Sequence, residues 1–126
     1  MKTKLNVVLC CLSIACSLAI LGCGKKADES KPLSEVKAEA EKMSVADLQA
    51  KAKMYKDAIA AKTGEVEKLA AKLKGIAVTE MMGDEAKKIK ADVDSVTKSL
   101  SALKERFQVY YDKLKEKGID VSALKI

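Results

Sequence analysis

Two long runs of apolar residues at alternating steps of three and four, joined by a short glycine-bounded link, predict an all-α fold. The expected shape is an antiparallel helical hairpin of coiled-coil type with a short extra helix at its N-terminal side, able to join a bundle. Composition agrees with so plain an architecture. The 126 residues suffice for one domain and include four aromatic side chains, Tyr55, Phe107, Tyr110 and Tyr111. The chain has no histidine, which excludes a histidine triad, a histidine-ligated metal site and a histidine proton switch.

The first element is a leader. Lys2 and Lys4 precede an apolar run from residue 5 to residue 22, and the sequence turns polar at Lys25, Lys26, Asp28 and Glu29. That is the layout of an export signal. The run is as long as a membrane-spanning helix, which needs about 20 apolar residues, so its end decides the reading. It closes on Ile20-Leu21-Gly22-Cys23, which resembles the lipobox of bacterial lipoproteins, with Leu21 where a smaller residue is usual. The resemblance implies a signal peptide over residues 1–22, recognised through Ile20, Leu21 and Gly22. It also implies cleavage behind Gly22 and a lipid-bearing Cys23 at the new N-terminus, acylated on sulfur and amine. Two or three acyl chains, at about 0.8 kcal/mol per buried methylene, hold to a bilayer effectively for good. Gly24, in place of an aspartate at the second mature position, makes the outer membrane the expected destination. The remaining domain would then stand in the periplasm or on the surface. Cys10, Cys11 and Cys16 all lie in the leader, so no free thiol is expected in the mature chain.

Residues 23–32 read as the lipidated cysteine and a flexible tether: they are polar, carry no apolar period and end in the only proline, Pro32. The helical domain is expected over 33–126. Its first helix is suggested by Leu33, Val36, Ala40 and Met43. Ser44 then looks like an N-cap, with Asp47 placed as in a capping box and Met43 and Leu48 as a hydrophobic staple.

The first heptad run is Val45, Leu48, Ala52, Tyr55, Ile59, Lys62, Val66, Leu69 and Leu73, with only Lys62 polar. It stops at Lys74-Gly75-Ile76, where Gly75 can take the left-handed conformation that ends many helices. The second run, from Met82 through Ala86, Ile89, Val93, Val96, Leu100, Leu103, Phe107 and Tyr110 to Leu114, ends at Lys117-Gly118-Ile119 with the same chemistry. Thr79 is placed to cap a helix beginning about a turn before Asp84, and Val121 and Leu124 form a short patch that can fold back. Asp47 with Lys51, Asp84 with Lys88 and Asp94 with Lys98 are spaced for ion pairs on exposed faces. A two-helix seam buries little area. Either the first helix covers it or a second copy does, and the polar residues flanking the seam, Arg106 among them, suit a two- or three-stranded arrangement.

With Lys2 and Lys4 in the leader, the net charge falls from +6 to +4. Arg106 is the lone arginine, and the lysines alternate with acids instead of clustering, so no nucleic-acid partner is expected. The carboxylates lack the loop spacing of calcium sites, and a thin hairpin offers no dry concave site for general acid-base work. No metal, no cofactor and no enzymatic activity are expected. The candidate contact residues are Met81 and Met82 at the hairpin tip and Tyr111, which points off the seam. These observations support a membrane-anchored envelope lipoprotein acting as a structural or protein-interaction module, with itself or another envelope protein as partner. The alternative is a lipid-anchored carrier or chaperone-like binder that opens its seam to apolar ligands or unfolded chains.

Overall fold

The computed structural model describes residues 26–126, and these are helical as expected. Three α-helices follow in order: α1 (Leu33–Lys42), α2 (Val45–Lys74) and α3 (Asp84–Glu116), with single 3-10 turns at Val78–Glu80 and Ser122–Leu124. The helices α2 and α3 form the antiparallel hairpin, and α1 packs on the C-terminal half of α3. Pro32 supplies the carbonyl that accepts from the amides of Glu35 and Val36, which starts α1. Ser44 caps α2: its hydroxyl accepts from the Asp47 amide at 3.2 Å and donates to the Asp47 carboxylate at 2.6 Å.

The hairpin is packed unequally along its length. Its base holds a continuous core in which Val36 and Ala40 of α1, Leu48, Ala52, Tyr55 and Ile59 of α2, and Leu103, Phe107, Tyr110 and Leu114 of α3 are all buried. Beyond Ile59 no residue of α2 is fully buried, and Val66, Leu69 and Leu73 are only half-covered. Opposite them Ala86, Ile89 and Val96 remain buried while Val93 and Leu100 do not. The reason is geometric: α1 is 10 residues long and covers the seam only at the base. The heptad pattern is continuous, yet a third helix completes only part of it.

The two helix ends with the same Lys-Gly-Ile sequence differ. At the end of α3, Gly118 has φ +72°, its amide donates to Lys115 and the Ile119 amide donates to Leu114, a Schellman motif that brings Ile119 against the base core. Gly75, expected to behave likewise, has φ −78° and stays right-handed. The chain instead leaves α2 through a turn that closes the Ile76 amide on Leu73 and an extended Ala77 that leads into Val78–Glu80. Thr79 lies in that turn and does not cap α3, whose N-cap is Gly83 without a side-chain bond. Met82 precedes α3 and is 79% exposed, so the second seam begins at Ala86.

The three ion pairs expected within helices are not formed among the described residues; the Asp47 carboxylate is engaged by Ser44, and Lys51 turns to Glu39 on α1 at 3.8 Å. The C-terminal patch does fold back. Val121 and Leu124 pack on the base, where the Lys56 ammonium donates to the Ala123 carbonyl at 2.8 Å.

Candidate functional site

Residues 26–32, expected to be a tether, lie instead as a strap along the base. Asp28 turns the strap by accepting from both the amide and the hydroxyl of Ser30, which holds its carboxyl below the usual carboxylate range. The Tyr55 hydroxyl donates to the Asp28 carbonyl at 2.9 Å. Arg106 grips the other end: its Nε and Nη2 donate to the Lys31 carbonyl at 3.0 and 2.7 Å, and its Nη1 to Ala102 at 2.7 Å. Ser99 also binds Glu29, Lys31 pairs with Glu39, and Ala27 packs against the core.

Arg106 therefore departs from its expected place on a solvated flank. It is 8% exposed, and its guanidinium is spent on backbone carbonyls. These strap contacts were not foreseen from sequence. The one available signal was compositional, a single arginine in a lysine-rich chain, since a planar fork of donors suits a buried carbonyl better than an ammonium does.

Of the expected contact residues, Met81 is half-buried and Met82 exposed at the tip, beside Val78 at 89% exposure. Tyr111 lies at the opposite end, half-buried, with its ring centroid 5.7 Å from that of Phe107. The fold does not bring these residues into one site. Ile20, Leu21, Gly22 and Cys23 fall outside the described residues. Among the described residues no group of Asp and Glu side chains is placed to hold a metal ion, and no helix is long and apolar enough to cross a membrane. Grooves run between α1 and α3 and beside the strap, open to solvent and lined by charged side chains such as Lys37, Glu105, Lys53 and Asp57.

The strap is tied to one of a pair of titratable rings. Tyr55 and Tyr110 stack with centroids 5.5 Å apart, and burial raises both phenols above their ordinary value. The folded chain thus holds these protons more tightly than the unfolded chain. Their stabilisation is complete below pH about 10 and is lost as pH rises through the folded values. Lys31, whose ammonium is held by Glu39, titrates with the same sign. The melting temperature is expected to be flat between neutrality and pH about 9 and to fall beyond about 10. Tyr110→Phe should soften that fall; identical alkaline profiles for the variant and the parent would show that the ring pair is not its source.

Comparison with protein-family models, with curated proteins and with solved structures returns no match.

Proposed function

We propose that this chain is a lipid-anchored lipoprotein of the bacterial envelope whose helical domain is a docking module for another envelope protein. The anchor rests on the leader layout and on the resemblance of Ile20-Leu21-Gly22-Cys23 to a lipobox. The observation that carries the docking role is the division of the hairpin: a base closed by α1, and an arm of two helices that ends in exposed Val78 and Met82. Large apolar side chains held out on a thin arm cost solubility and serve best where a partner covers them. Methionine, with three rotatable bonds and a polarisable sulfur, adapts to such a partner.

The half-covered seam of the arm, at Val66, Leu69 and Leu73, also supports a second reading, a carrier that opens to an apolar ligand. A photo-crosslinking residue at Val78 or Met82, used in the native membrane and read by mass spectrometry, separates the two. Capture of one discrete envelope protein at both positions supports docking. Capture of lipid, or of many unrelated chains, supports the carrier.

A further inference from the structure

We propose that the valley between α1 and α3 is the contact through which two copies of this chain pair, base against base. The pairing uses the end of the hairpin opposite Val78 and Met82, so it stands apart from both the proposed anchor and the docking at the tip. The floor of the valley is apolar: Leu33 of α1 and Val109 of α3 are half-buried there. Its walls differ in charge. The α1 wall presents Lys37, and the α3 wall presents Glu105 and Asp112. All three are exposed, and none forms an ion pair among the described residues. The walls do meet at one end, where Lys113 of α3 pairs with Glu41 of α1 at 2.6 Å and with Glu116 at 2.9 Å.

Such a surface is complementary to itself. A contact between two identical patches closes only if each residue meets what it needs on the other copy, and the reverse holds across the two-fold axis. Two valleys set face to face satisfy that rule: Lys37 of each copy meets the Glu105 and Asp112 wall of the other, while Leu33 and Val109 of both copies cover one another. A valley with walls of one sign would repel its own copy and call for a different protein. The walls are short. The helix α1 has 10 residues, a span of about 15 Å, so the contact lies at the low end of stable interfaces, and pairing is expected at about 10–100 µM protein. The pair would offer two tips to whatever docks at Val78 and Met82, and bivalent docking holds more tightly than either tip alone.

Sedimentation equilibrium of the full-length protein in a density-matched detergent, with micelles in excess over protein, measures the pairing. A dimer is expected to build up across about 10–100 µM. Lys37→Glu sets like charges against one another and should weaken the dimer at least about tenfold, as should Glu105→Lys combined with Asp112→Lys. The three substitutions together restore opposite charges and should return the affinity to within about threefold of the parent. The replaced side chains are all exposed, so the helical content of each variant should match the parent by circular dichroism. A parent that stays monomeric throughout that range, a dimer indifferent to either reversal, or a triple variant that pairs no better than its parts would each overturn the proposal. Crosslinking to a different membrane protein from a photoreactive residue at Val109, in a parent that is monomeric in detergent, would give the valley to that protein instead.

Discussion

Phe107→Ala is expected to destabilise the fold by about 3–5 kcal/mol, while Leu69→Ala in the arm is expected to cost only about 1 kcal/mol. Both are large apolar residues at seam positions of a continuous heptad pattern, and sequence alone would rank them together. The difference lies in what surrounds them. Phe107 is 2% exposed in a core drawn from all three helices, and its ring also supports Tyr111. Truncating it opens a cavity that three packed helices cannot collapse. Leu69 is half-exposed before any change, so its truncation removes less buried area and leaves a site that water already reaches. A domain of this size has about 5–15 kcal/mol of stability in all, so Phe107→Ala brings it close to unfolding and Leu69→Ala does not. Urea denaturation of residues 26–126 measures both. Equal losses would mean that the arm is as tightly packed as the base, and a midpoint that then rises with protein concentration would identify a second copy as the cover.

Much of this division was beyond the reach of the sequence. The helices themselves were legible because side chains at steps of three and four must share a face, and the Ser44 cap because a hydroxyl before an apolar run has few other uses. What the pattern cannot show is which stretch of seam a third element covers; that depends on the length of α1 and the direction in which it leaves the turn at Met43 and Ser44. The two Lys-Gly-Ile segments make the same point locally. Gly118 turns left-handed where Ile119 has a base core to join, whereas Ile76 has none and Gly75 stays right-handed. The strap is hidden in the sequence for a different reason. It is held mainly through the carbonyls of Asp28 and Lys31, acceptors that every residue carries, so its own side chains announce nothing. Its donors, Tyr55 and Arg106, belong to elements whose positions already had an explanation in the heptad.

Arg106→Met should release that strap. The substitution keeps a long apolar stem in the base and removes three charge-assisted hydrogen bonds, two to the Lys31 carbonyl and one to Ala102. Bonds from a charged donor contribute about 1.5–3 kcal/mol each in favourable cases, but two here share one acceptor, so a total of about 2–4 kcal/mol is expected. Arg106→Lys preserves the charge and not the fork, and should recover only part of the loss. The damage should be local first, since the strap is bound to the base by few groups besides Arg106, Tyr55 and Ser99. Cleavage after Glu29 by a glutamate-specific protease is therefore expected to accelerate by about tenfold or more, equivalent to about 1.4 kcal/mol of local opening, before the helices melt. Unchanged cleavage and an unchanged melting temperature in Arg106→Met would show that the guanidinium holds nothing.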